Sequence, residues 1–84
     1  MLTIHYFASV REAMNRDEES LELPGSIDDV AGLVAHLGGL YPELATLDKS
    51  KSALLVAVNQ TVVDRSFKLS QDDEVAFFPP MTGG

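Results

Sequence analysis

The chain closes on Phe77-Phe78-Pro79-Pro80-Met81-Thr82-Gly83-Gly84, and the two glycines are where chemistry could be done. Glycine has no side chain to bury and loses more conformational entropy on ordering than any other residue. A packed domain therefore gains nothing from ending in two of them. The pair makes sense if the Gly84 carboxylate is the reactive group. A carboxylate that must enter another protein's active site needs a thin, bendable stalk, and residues without Cβ let the backbone approach enzyme walls closely. A frayed tail is the plainer alternative. The preceding residues argue against it. Pro79 and Pro80 cannot donate to a sheet ladder, so a strand through Val75-Ala76-Phe77-Phe78 should stop there. Pro-Pro favours stiff polyproline II geometry. Strand, spacer and flexible tip follow in that order, although Pro-Pro capping an edge strand would read the same way locally.

Other chemistry is sparse. His5 falls on a strand face and His36 on the polar side of a helix; no pair at metal-binding spacing accompanies them, and both read as surface histidines. Asp28-Asp29 and Asp72-Asp73 sit where helix caps and turns want Asp, and adjacent residues do not face one another. No phosphate-cradling or nucleophile-elbow glycine motif occurs. With no cysteine among the 84 residues, disulfides, thiolate metal sites and a cysteine nucleophile are excluded. No metal site and no cofactor bound by this chain are expected.

The reactive tip needs a domain to carry it. Hydrophobic content of 45% and charged content of 23% suit a soluble globular domain with one modest core. The net charge of −7 argues against nucleic acid, whose phosphates call for Lys and Arg, and against an anionic membrane surface. It would suit a basic partner. With no signal-peptide pattern and no membrane-length apolar run, a cytoplasmic location is expected.

Residues 2–8 alternate, with Leu2, Ile4, Tyr6 and Ala8 on one face and Thr3, His5 and Phe7 on the other, and read as a strand. Ser9-Val10-Arg11-Glu12 has capping-box spacing and should open a short helix over about 10–15. Glu19 to Leu23 reads as a second strand, ended by Pro24-Gly25. Ser26-Ile27-Asp28-Asp29 should start the main helix, about 27–38. Its apolar stripe is Ile27, Val30, Leu33, Val34 and Leu37, extending to Tyr41, with Gly38-Gly39 as terminator. Residues 42–53 read as loop. Leu54 to Val58 is a buried strand, Asn59-Gln60 a tight turn, and Thr61-Val62-Val63 pairs back. Phe67 and Leu69 should pack down from a linking segment. Gln71-Asp72-Asp73 is a turn, and Glu74 to Phe78 the last strand. The expectation is an α+β, β-grasp architecture: a mixed sheet with one main helix on one face, spanning residues 1–80, then a flexible tail, 81–84. Phe77 and Phe78 must point to opposite faces; one is core, and the other, beside Phe7, forms an exposed patch of the kind that marks a partner surface.

Three stretches resemble a known family. Ala57-Val58-Asn59-Gln60-Thr61-Val62-Val63, Asp73-Glu74-Val75-Ala76-Phe77-Phe78-Pro79-Pro80 and Thr82-Gly83-Gly84 are similar to the small subunits of molybdopterin synthase, the MoaD group of ubiquitin-like sulfur carriers. Tyr6-Phe7-Ala8-Ser9-Val10-Arg11-Glu12 resembles that family's first strand and short helix. The resemblance implies a β-grasp fold and a Gly84 carboxylate that a ubiquitin-activating-type enzyme adenylates with ATP. It implies conversion to a thiocarboxylate, with Gly83 giving access, and transfer of sulfur to cyclic pyranopterin monophosphate. The partners implied are the large synthase subunit, in a heterotetramer, and the adenylating enzyme. Phe7, Val62 and Phe78 match positions that contact the large subunit, and the tail, through Pro79, Pro80, Met81 and Thr82, would thread into it. Met81 departs from the family's smaller aliphatic residue, Asp72 stands where many relatives have a turn glycine, and Gln60 sits where a hairpin turn often prefers Gly. A carrier for another pathway, such as thiamine synthesis, a ubiquitin-like protein modifier and a simple interaction domain are the alternatives.

Overall fold

The computed structural model describes residues 1–49 and 54–80. Its elements are β1 (Leu2–Tyr6), α1 (Ala8–Met14), β2 (Glu18–Leu21), α2 (Val30–Leu40), α3 (Pro42–Lys49), β3 (Leu55–Val58), β4 (Thr61–Val63) and β5 (Glu74–Phe78). The strands form one sheet in the order β2-β1-β5-β3-β4. The central pair, β1 and β5, is parallel, with His5 opposite Ala76. The remaining pairs are antiparallel. First and last strands side by side at the centre, with helices against one face, make the β-grasp arrangement.

Alternation decides which face is covered. Leu2, Ile4 and Tyr6 of β1, Val56 and Val58 of β3, and Val75 and Phe77 of β5 are buried together with Val30, Leu33, Val34 and Leu37 of α2. Tyr6 and Phe77 stack at the centre of this core, with ring centroids 5.9 Å apart.

Several local expectations are corrected. Ser9 does not cap α1. The chain turns directly from β1 into the helix at Phe7, whose N–H donates to the Phe77 carbonyl at 3.0 Å while its own carbonyl accepts from Val10 at 3.1 Å. Ala8, expected on the core face, is exposed as the first residue of α1. The main helix begins at Val30, not Ile27, because its orphan amides find their acceptors there. Val30 N–H donates to the Phe67 carbonyl (3.0 Å), Ala31 N–H to the Arg65 carbonyl (2.8 Å), and Gly32 N–H to Asp29 Oδ1 (2.8 Å). Phe67 contributes this backbone acceptor rather than a packed ring, which is 40% exposed; Leu69 does pack down.

Gly38-Gly39 does not end α2, which runs to Leu40. A Cβ on Gly38 would lie 3.3 Å from that of Ala45, so this glycine allows α3 to pack closely on α2. The expected loop 42–53 instead contains α3. Pro42 sits at its first position, where the missing N–H costs nothing. Leu44 is fully buried. The rest of that expected loop, 50–53, lies outside the described residues.

Candidate functional site

The open face of the sheet carries the expected patch. Strand β5 sorts its two phenylalanines: Phe77 is fully buried, and Phe78 is half-buried on the opposite face. Phe7 follows β1 and is held against β5 by its hydrogen bond to Phe77, which sets its ring, 48% exposed, beside Phe78. Pairing registers then place one residue from each strand in a row across this face: Val62, Ala57, Ala76, His5 and Glu18. Val62, on the edge strand β4, is 62% exposed. Two aromatic rings and the branched Val62, partly or largely exposed on one face, make it a candidate contact surface.

The turn beside the patch is built with care. Asn59 and Gln60 both adopt positive φ, 50° and 71°, as a type I′ hairpin turn requires. Asn59 is suited to that conformation; Gln60 is not, and carries the strain that a glycine would avoid. Asn59 also ties the hairpin to β5. Its Oδ1 accepts from the Glu74 N–H at 3.0 Å, its Nδ2 donates to Asp73 Oδ1 at 3.0 Å, and its N–H donates to the Glu74 carbonyl at 2.7 Å. The sequence marked Asn59 only as a turn residue. Its clamp on β5 depends on a contact between residues far apart in the chain.

Between turn and rings lies a depression of about 370 Å³ lined by His5, Phe7, Gln60, Glu74, Ala76 and Phe78. His5 is stacked on Phe7, with ring centroids 6.1 Å apart. Its Nδ1 lies 3.4 Å from Glu18 Oε1 and its Nε2 3.5 Å from Glu74 Oε2. Among the described residues, no group of three His, Asp or Glu side chains is placed to hold a metal ion.

Pro79 and Pro80 continue from β5 and are half-buried. Met81, Thr82, Gly83 and Gly84 lie outside the described residues, as does the expected mobility of that segment. The sites read from the sequence thus fall into two groups. Phe7, Val62 and Phe78 share one face, with Pro79 and Pro80 leading from it.

A second polar constellation escaped the sequence reading. Glu19 of β2 accepts from Tyr6 Oη (3.0 Å), from Tyr41 Oη (2.9 Å) and from Arg16 Nη1 (2.5 Å). Arg16 also donates to Tyr41 Oη (2.8 Å) and lies 4.4 Å from the centre of its ring. Burial and the adjacent Glu19 carboxylate push the Tyr6 phenol well above its ordinary range, and desolvation raises Tyr41 too. The hydrogen bond to Glu19 raises Arg16. This network staples β1, β2 and the α2–α3 corner together on the covered side of the sheet. No lone residue signals it, because Arg16, Glu19 and Tyr41 meet only in the fold.

Comparison with known proteins agrees with this architecture. The chain is 39% identical to the molybdopterin synthase sulfur carrier subunit of Escherichia coli (strain K12), over all of both chains. It is 40% identical to the protein of the same name from Haemophilus influenzae, again over all of both chains. Among solved structures, SAMP1 from Haloferax volcanii superposes with a TM-score of 0.81 over 99% of this chain and 98% of that one, at 22% identity, a likeness of fold. The ThiS family model matches residues 4–84, and the chain belongs to that family of ubiquitin-like sulfur carriers.

Proposed function

We propose that this protein is the sulfur carrier subunit of a molybdopterin synthase. The observation that carries the reading is the full-length likeness to subunits of that name, joined to an apolar face at the root of the strand that leads to Gly84. In this reading Phe7, Val62 and Phe78 dock on the large synthase subunit, and Pro79, Pro80, Met81 and Thr82 carry the tip into its active site.

A carboxylate is a poor acyl donor because its leaving group would be oxide. An adenylating enzyme of the ubiquitin-activating type joins the Gly84 carboxylate to AMP, releasing pyrophosphate from ATP. Sulfur at the sulfide level then attacks the carbonyl, the bond to the phosphate oxygen breaks and AMP departs, leaving a thiocarboxylate. Its sulfur passes to cyclic pyranopterin monophosphate in the large subunit, and water restores the carboxylate. The carrier supplies attachment and reach; its partners supply the catalytic side chains. Gly83, without Cβ, lets both enzymes close on the carbonyl.

The test is the intact mass of the chain produced with its own adenylating enzyme. One oxygen exchanged for sulfur at Gly84 is the expected product, and deletion of Gly84 should abolish it. Attachment to lysines of other proteins, with no thiocarboxylate, would instead identify a protein modifier.

A further inference from the structure

The docking face is not uniformly apolar. Along the row from β4 to β2 its character changes from Val62, Ala57 and Ala76 to His5 and Glu18. Glu74 adjoins the same row and lines the depression between Phe7 and Phe78. Its carboxylate and that of Glu18 flank the single imidazole of His5, with side chains 50% and 59% exposed. Two carboxylates around one imidazole leave net negative charge whether the ring is neutral or protonated. None of the six residues lining the depression is a Lys or Arg, and the chain as a whole carries −7.

We infer that this depression receives an arginine side chain from the large subunit, its stem against Phe7 and Phe78 and its guanidinium on Glu74. The inference rests on the proposed docking face and specifies its partner's chemistry. A wholly apolar plug would fit the two rings but strip Glu74 of water without replacing its hydrogen bonds, which is costly for a charged group. A guanidinium removes that conflict. It stacks on aromatic faces, is more weakly hydrated than an ammonium, and offers donors in the plane a carboxylate accepts. Gln60, also lining the depression, brings a side-chain amide whose oxygen can accept a further hydrogen bond. The acidic flank also selects among partners, because an acidic or neutral contact at this spot leaves Glu74 unpaired or repelled. Charge of opposite sign further speeds encounter, and that part of the effect is screened by salt.

The experiment is calorimetric titration of the full chain with the cognate large subunit at low and at high salt. Glu74→Gln should weaken binding about tenfold at low salt and flatten its salt dependence. Replacing the large subunit's arginines one at a time by alanine should find one whose loss is not additive with Glu74→Gln, and lysine at that position should restore only part of the affinity. Phe78→Ala, which tests the docking face itself, should weaken binding at both salt concentrations. If Glu74→Gln binds as tightly as the parent with unchanged salt dependence while Phe78→Ala binds poorly, the arginine inference is overturned and the docking face stands. If neither substitution affects a measurable affinity, the docking face fails as well. Tighter binding by Glu74→Gln would mean that the carboxylate is desolvated without a cation, and would also overturn the inference.

Discussion

The two faces of the sheet share strands but not purpose. On the helix side, Ile4, Tyr6, Val56, Val75 and Phe77 are essentially inaccessible and pack on α2. On the other side, the intervening residues His5, Ala76 and Phe78, with Phe7 and Val62, remain partly or largely exposed. Strand β5 makes the contrast sharpest, since Phe77 and Phe78 are chemically identical neighbours with opposite surroundings. One faces the residues that hold the domain together. The other faces solvent on a domain whose relatives are named as subunits. Identity of residue type therefore says little here; the pleat assigns the role.

The largest effect expected follows from that pair. Phe77→Ala removes a fully buried ring stacked on Tyr6 and should cost about 3–5 kcal/mol. Phe78→Ala should cost well under half as much. Chemical denaturation of both variants measures the difference. Equal losses would erase the distinction between the faces.

The converse substitution should act on association. Phe78→Asp places a carboxylate where the proposed interface is apolar, and should weaken binding to the large subunit at least a hundredfold, about 2.7 kcal/mol. The domain should stay folded, as circular dichroism would show. Retained affinity by calorimetry would remove Phe78 from the interface, and an unfolded variant would place it in the core.

A subtler asymmetry concerns polar groups. The covered side has its own network around Glu19, and Tyr6→Phe removes one donor to a charged acceptor that keeps Arg16 and Tyr41. The loss should be about 1–2 kcal/mol near neutral pH. The variant should differ from the parent again in alkali. The Tyr6 phenol is raised in the fold, first by burial and then by Glu19, so the native state holds its proton more tightly than the unfolded chain does. Its contribution is full below the ordinary tyrosine pKa of about 10 and is lost as pH rises above it. Stability curves of parent and Tyr6→Phe should therefore converge between about pH 10 and pH 12. Parallel curves across that range would show that Tyr6 ionises as freely in the fold as in the unfolded chain.

What could be read in advance divides along the same lines. The alternating strand at the start, read over 2–8 although it ends at Tyr6, the last strand over 74–78, the Asn59-Gln60 turn and the α2 stripe were legible because each is local. So was the β-grasp order, since a long helix between strand pairs with no second long helix leaves few alternatives. Alternation alone put Phe77 and Phe78 on opposite faces with Phe7 beside one of them; that the partly exposed one is Phe78 is settled by the fold. The failures were places where a distant segment supplies the deciding partner. The start of α2 is set by carbonyls of Arg65 and Phe67, more than thirty residues away. Helix α3 hid in the expected loop because a proline breaks a helix interior yet is well suited to a first helical position, where Pro42 sits. The Glu19 network joins two strands to the α2–α3 corner, and the flanking of His5 by Glu18 and Glu74 joins three strands; neither could be seen along one segment.

Gly38 and Gly39 offer the finest test of how the covered side is built. Both lie within α2, and neither has positive φ. Glycine inside a helix is about 0.5–1 kcal/mol worse than alanine, partly through the freedom it leaves the unfolded chain. At Gly39 a Cβ would meet nothing within 4 Å, so Gly39→Ala should raise stability by about that amount. At Gly38 the added Cβ would lie 3.3 Å from that of Ala45, and α3 would have to shift by a few tenths of an ångström. There the gain in helix propensity and the lost closeness of α2 to α3 oppose each other, and Gly38→Ala should be neutral or destabilising. Thermal unfolding of the two variants side by side is the measurement. Both substitutions lie on the helical layer, so affinity for the large subunit should not change. A Gly39→Ala variant that is more stable yet binds less tightly would show that the two faces are coupled through the sheet, and their separation into a structural side and a docking side would fail.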